Sequence, residues 1–349
     1  MPNIKPHTRG GFVYRHLGLA GCNIVLMKRL WLITSTQRIK ASRRLLENEG
    51  NRFVSLMKSV MIIILIITTK LFPQICETEI PEIYIDDKTR LIYENKLTEA
   101  KLNFSKDASP DNLIWLGRRL AYLGKYDEAI EIYSKGIIKY PKDARFYRHR
   151  GHRYISSRCF ELAIKDFKKA ASITRNKPNK VEPDGLPNSL NIPTSTLQGN
   201  IYYHLGLTYY IQGNYNQARR AYEKTLTLAE NPDSYVAAAN WLYIINRHLG
   251  RNVKAEDLLE TITDDMAIIE NHTYFEILKL YKGQNDPIEI KKQIMTGQSL
   301  VNATMAFGLG NYYFLQGREK EATEMFRFVV DGNQWSSFGY ICAEARLNK

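Results

Sequence analysis

Two stretches of the chain repeat each other at a spacing of 34 residues: Gly117 corresponds to Gly151, Ala129 to Ala163, Tyr133 to Phe167 and Gly136 to Ala170. The pattern returns from Gly199 and from Ala303, and more loosely from Val236. A period of this size is that of stacked helix–turn–helix units, none of which can bury its apolar face alone. It predicts an all-α helical-repeat solenoid that works by presenting a binding surface. It does not specify the ligand.

Within the first unit, Leu113, Leu116, Leu120 and Leu123 fall at helical spacing and Gly124 stops the helix. Tyr126, Ala129, Ile130 and Tyr133 begin a second apolar stripe, which Pro141 closes. Gly117 and Ala129 are small where two helices must cross closely.

The run Leu116-Gly117, Leu120, Gly124, Tyr126, Ala129, Tyr133, Gly136 and Pro141 resembles the tetratricopeptide repeat. Gly151, Tyr154, Phe160, Ala163, Phe167 and Ala170 keep the pattern in the next unit, and Tyr202, Gly206, Tyr209, Gly213, Tyr215, Ala218 and Tyr222 in the third. Leu242, Gly250 and Ala255 carry a fourth without the aromatic partners, and Gly310, Tyr313, Gly317, Ala322 and Phe326 a fifth. The resemblance covers roughly residues 110–330 and implies a right-handed superhelix of antiparallel helix pairs that acts as a protein-interaction scaffold. Its units fall near 110–143, 144–173, 199–232, 236–263 and 303–330. Between them lie a proline-rich insertion (174–198) and a degenerate pair (264–302). Residues 77–109 read as an N-terminal cap and 335–347 as a C-terminal capping helix. The insertion also gives the chain a resemblance to a group of bacterial repeat proteins of unassigned function.

The resemblance further implies that the first helix of each pair lines a concave groove. Arg118 and Tyr122, then Arg145, Arg148, His152 and Ser156, then Asn200, Tyr203, Leu207 and Tyr210 take those positions. Arginines on rigid helices make charge-assisted bonds to carboxylates, and tyrosines add flat contact area. The expected partner is therefore an acidic or extended peptide, although a charged helix face is often only solvated. The family's clamp for acidic C-terminal peptides is not expected, because Ile114 and Arg118 stand where it needs other residues.

The insertion carries prolines at 178, 183, 187 and 193 with turn formers between them, which predicts a shaped loop over the groove beside Arg148 and His152. A linker that only spans a wider gap is the plainer alternative. Thr194 or Ser195 is the expected cap of the following helix. A second functional reading has this loop gating a site that binds or hydrolyses a small anionic ligand, with Glu182, Asp184 and His152 converging. No phosphate-cradling glycine loop, nucleophile elbow or metalloprotease motif is present, so neither catalysis nor a cofactor is expected. His149, His152 and His204 lack a carboxylate or cysteine at ligand spacing, and no metal is expected.

Composition matters chiefly through where the charge lies. The net charge is +13, but residues 1–76 hold 12 Lys and Arg against 2 acids, leaving 37 against 34 in the rest. The repeats are near neutral, which argues against a nucleic-acid partner. Lys58 precedes a short apolar run from Val60 to Ile67 with the proportions of a signal peptide within 57–76. The arginine-rich stretch 1–56 reads as sequence ahead of a true start at Met57, as the cytoplasmic flank of a signal-anchor, or as a transit peptide. Export is the expectation from the first two. Cys22, Cys76, Cys159 and Cys342 are widely spaced, so a disulfide framework is not expected, and Cys159 and Cys342 read as buried thiols.

Overall fold

The computed structural model describes residues 80–297 and 300–348, with isolated helical positions at 37, 40, 43, 56 and 57. The leader and the apolar run otherwise lie outside the described residues. The described residues from 80 onward belong to one compact unit. Among the described residues no helix is long and apolar enough to cross a membrane.

Fourteen α-helices are present among these residues. Helix α1 (Asp87–Lys106) precedes the pairs α2 (Pro110–Tyr122) with α3 (Tyr126–Lys139), and α4 (Ala144–Ser156) with α5 (Phe160–Thr174). After the insertion come α6 (Leu197–Ile211) with α7 (Tyr215–Thr227), and α8 (Pro232–His248) with α9 (Asn252–Glu260). Next come α10 (His272–Tyr281) with α11 (Pro287–Thr296), and α12 (Leu300–Leu315) with α13 (Glu319–Val330). Helix α14 (Phe338–Leu347) ends the chain.

One packing device recurs. A Cβ on Gly151 would come within 2.9 Å of the Phe167 ring, and one on Gly206 within 2.7 Å of Tyr222. Gly117 meets Tyr133 and Gly310 meets Phe326 in the same way. In each pair the glycine lets an aromatic ring from the second helix lie against the backbone of the first. Gly124, Gly213, Gly250, Gly283 and Gly317 turn the chain between paired helices at φ of 68–77°. Arg158 takes that position between α4 and α5, at φ 59°, where a side chain is strained.

Consecutive first helices (α2, α4, α6, α8) also pack against one another, whereas consecutive second helices make no comparable contact. The first helices are therefore the inner row of the curve. The main core runs from Ile130 to Ala343 and is centred on Trp241, which is 1% exposed.

Helix α14 does more than cap the last pair. It packs on α12 and α13 but also reaches α6. Arg158 ties its near end back to the second unit, with Nε 2.9 Å from Glu344 and the guanidinium 3.7 Å above the Trp335 ring. Tyr210 Oη donates to Asn311 Oδ1 at 3.2 Å across the same interior. The inner face is partly filled by the chain itself: Leu207 and Tyr210, expected to line a groove, are buried core residues.

The cysteines also depart from expectation. Cys342 is fully buried, as expected, but Cys159, half-buried at the start of α5, is disulfide-bonded.

Candidate functional site

Residues 175–196 run between α5 and α6 as a strap across the inner row. Arg118 Nη1 donates to the Pro183 carbonyl at 2.7 Å and Arg119 Nη1 to that of Gly185 at 3.1 Å. Gly185 lies so close over Tyr122 that a Cβ would overlap its hydroxyl. The strap then doubles back, with Glu182 N–H donating to Ser195 O and Leu197 N–H to Lys180 O. Asn188 folds its own turn by accepting from the N–H groups of Leu190 and Ile192. Thr196, rather than Thr194 or Ser195, caps α6 by accepting from Gly199 N–H at 3.2 Å. Thr194 is drawn away to Glu270, and Ser195 accepts from Asn200.

Glu182 is buried within the strap, 6% exposed. Arg148 Nε stands 3.1 Å from Oε2, His149 Nε2 stands 3.1 Å from Oε1, and Asn200 Nδ2 donates to Oε2 at 2.7 Å. Neither Arg148 Nε nor Glu182 Oε1 makes an aligned hydrogen bond, so the pairing is Coulombic and Asn200 supplies the directed bond. Burial alone would raise the Glu182 pKa, but Arg148, His149 and Asn200 together hold it well below the usual carboxylate range.

Burial and the adjacent Arg148 push His149 down to about 3, so its ring is neutral. Arg148 Nη1 lies 3.0 Å from His149 Nδ1 and can only donate, which leaves the ring proton on Nε2, facing Glu182. Burial and Arg148 likewise push His204 down to about 3; its Nδ1 faces the Asn200 carbonyl at 2.6 Å. Burial and Arg153 lower His152, whose ring lies 4.5 Å from that of His204 and 5.3 Å from Phe338.

The predicted site residues thus fall into three groups. Arg148, His152, Asn200 and Tyr203 come together around the buried part of the strap. Arg118 and Tyr122 hold its outer turn from α2. Arg145 stands apart, engaged by Asp143 at 2.7 Å and by Asp111. Ser156 is buried and bonds back to the His152 carbonyl. Arg150, off the groove, makes a bidentate bond to Asp166 on α5 at 2.7 and 2.8 Å. Glu182 meets Arg148, whereas Asp184 makes no such pair among the described residues; burial and then the Glu270 carboxylate push its pKa up.

Between the strap, α6, α8 and α10 lies a cavity of about 300 Å³. Its aromatic wall is Tyr203, Tyr274, His204 and Phe338. Trp241 Nε1–H donates to Tyr203 Oη at 2.8 Å, and that oxygen lies 3.1 Å from Tyr274 Oη. Glu270 at the rim is placed by Asp233, a fully buried carboxylate that accepts from the N–H groups of Ile269, Glu270 and Asn271. Glu270 and Asp233 carry no repeat signal and were not singled out by sequence; Tyr274 was read only as part of the degenerate pair 264–302. An aspartate just after Asn231-Pro232, at a helix start, is the one local hint. Among the described residues no group of three or more histidine, cysteine or acidic side chains is placed to hold a metal ion.

Two family models described as tetratricopeptide repeat match the chain, over residues 116–179 and 199–232. The chain contains tetratricopeptide repeats. Those matches cover three units with kept glycine–aromatic pairs, and most of the insertion, residues 180–198, falls between them. RNA polymerase II-associated protein 3 of Xenopus laevis is 28% identical over 204 residues, 58% of this chain and 24% of that protein. The chain therefore matches about a quarter of the length of that curated relative. Among solved structures, a tetratricopeptide repeat protein from Parabacteroides merdae is 16% identical, covering 73% of this chain and 96% of its own, with a TM-score of 0.45. PilF of Pseudomonas aeruginosa is 15% identical, covering 74% and 91%, with a TM-score of 0.41. YrrB, a repeat protein described as having an unusual peptide-binding site, is 14% identical, covering 71% and 97%, with a TM-score of 0.38.

Proposed function

We propose that this repeat protein is a non-enzymatic scaffold that grips an extended, acidic segment of a partner protein on its inner face. Tetratricopeptide repeats are interaction modules, which supports the coarse part of the reading. The finer part rests on one observation: Arg148, His149 and Asn200 already converge on a carboxylate carried by an extended segment, Glu182 of the strap. The chain's own strap marks where a partner's acid would sit and competes for the place. Export through the 57–76 segment stays part of the proposal, and fractionation of the full chain with N-terminal sequencing tests it.

The competition is tested with a labelled peptide of residues 178–193 added to the full chain. Glu182→Gln removes the internal competitor's charge and is expected to raise peptide affinity at least about tenfold over wild type. Arg148→Gln is expected to abolish that gain. If a folded Glu182→Gln chain binds the peptide no better than wild type, the groove reading fails.

A further inference from the structure

The cavity beneath the strap has a charge pattern that the scaffold reading does not use. Only two of its lining residues are charged, Arg148 and Glu270, and they have opposite signs. Arg148 is buried at 9% exposure at the deep end, whereas Glu270 is exposed and marks the mouth. Burial and the Glu270 carboxylate disfavour ionisation of Asp184 on the strap. The cavity therefore has a guanidinium at its floor, already paired on one side with Glu182, and a carboxylate at its entrance.

Hydrogen-bonding capacity is left at both poles. Arg148 uses Nε toward Glu182 and Nη1 toward His149, and its Nη2 makes no hydrogen bond. His204 Nε2, the acceptor nitrogen of a neutral ring, also makes none, and the ring lines the cavity. At the mouth Glu270 accepts from the Thr194 hydroxyl and, at 3.1 Å, from Asn188 Nδ2, and each carboxylate oxygen has a second lone pair to offer. Between the poles the wall is aromatic, and about 300 Å³ is the lower end of the range for small-molecule sites.

We infer that this cavity is a binding site for a small dipolar molecule of the α-amino-acid class, its carboxylate on Arg148 and its ammonium on Glu270. A simple anion would meet the acidic mouth without a cation of its own to offer it. A simple cation would leave the buried guanidinium's free N–H groups unanswered, which is costly at low dielectric. A molecule carrying both charges satisfies both ends, and its side chain takes the aromatic wall. Because residues 194–196 form one side of the cavity, such a ligand also holds the strap closed.

The inference goes beyond the scaffold reading; it shares Arg148 with it, and Glu270, which takes no part in the Arg148–Glu182 pair, distinguishes the two. Its test is isothermal titration of the full chain with the free L-α-amino acids one at a time. For any that binds, the matching carboxylic acid without the amine and the matching amine without the carboxylate are titrated as well. At least one amino acid is expected to bind, with both truncated analogues weaker by about tenfold or more. Glu270→Gln, a change at an exposed position, is expected to lower amino-acid affinity by a similar factor and leave the carboxylic-acid analogue unaffected. Phe338→Leu, which shortens the aromatic wall, tests the same cavity without touching either charge and is expected to weaken the amino acid too. Binding of none of the amino acids, or equal binding of the carboxylic acid alone, overturns the inference.

Discussion

At the scale of single residues, the buried pair of Arg148 and Glu182 dominates, with side chains only 11% and 7% exposed. Desolvating two charges costs several kcal/mol, and removing one partner leaves the other uncompensated, which typically destabilises by about 3–5 kcal/mol. Glu182→Gln retains the side-chain shape and a hydrogen-bond acceptor for Asn200 but not the charge. It is expected to lie near the lower end of that range in urea unfolding. The double variant Arg148→Met with Glu182→Leu removes both charges and is expected to recover most of the loss, because apolar replacements of a buried pair are often neutral or better. Equal destabilisation by the single and double variants would show that the pair's packing, not its charge, holds the strap. Sequence reading singled out both residues, Arg148 for its helix face and Glu182 for its loop. What it lacked was their meeting: the spacing of an irregular loop does not encode where its backbone turns.

Among the elements, the α4–α5 turn breaks the pattern of its relatives. Five other turns use glycine at positive φ, and this one uses Arg158. A non-glycine residue there costs about 1–2 kcal/mol, so the side chain must return at least as much. It does so by joining Glu344, the Trp335 carbonyl and the Trp335 ring, which pins the chain before and within α14. Arg158→Gly relieves the strain and releases the pin. Global melting is expected to move little, while amide hydrogen exchange across 338–347 rises about tenfold or more. Unchanged protection there would mean α14 is held by its apolar stripe alone. The helix pairs were legible because Gly117 with Tyr133 and Gly151 with Phe167 state a contact that only one packing satisfies. The unit from Val236 was fainter since Tyr243 and Leu259, both buried in the main core, stand where the other units have glycine and an aromatic ring. The α10–α11 pair was fainter still: there a glycine of the following unit, Gly308, receives Ile277. The stripe of α14 was readable as a cap, but Phe338 reaching His152 and His204 depends on how far the array curls, which no single unit encodes.

The whole molecule couples these parts through three neutral histidines in its interior. His149 and His204 have pKa values near 3, lowered by burial and then by Arg148, and burial with Arg153 sets His152 well below its ordinary value. In the unfolded chain each titrates near about 6.5. Between those limits the unfolded state binds protons that the native state refuses, so stability falls as pH falls. Each histidine contributes up to about 1.4 kcal/mol per pH unit once the pH is well below 6.5. Glu182 acts at lower pH: its depressed pKa gives stability that is present above the unfolded carboxylate value and lost as pH drops toward the folded one. The chain is therefore expected to keep its midpoint from pH 8 to about 7 and to lose stability steeply from about 6 to 4. The steepness should approach three protons in the slope of unfolding free energy against pH. His152→Phe, which keeps a ring against Phe338 and His204, is expected to remove about one proton from that slope. A flat profile from pH 7 to 5 would mean the histidines are solvated, and with them the interior that the strap and α14 close.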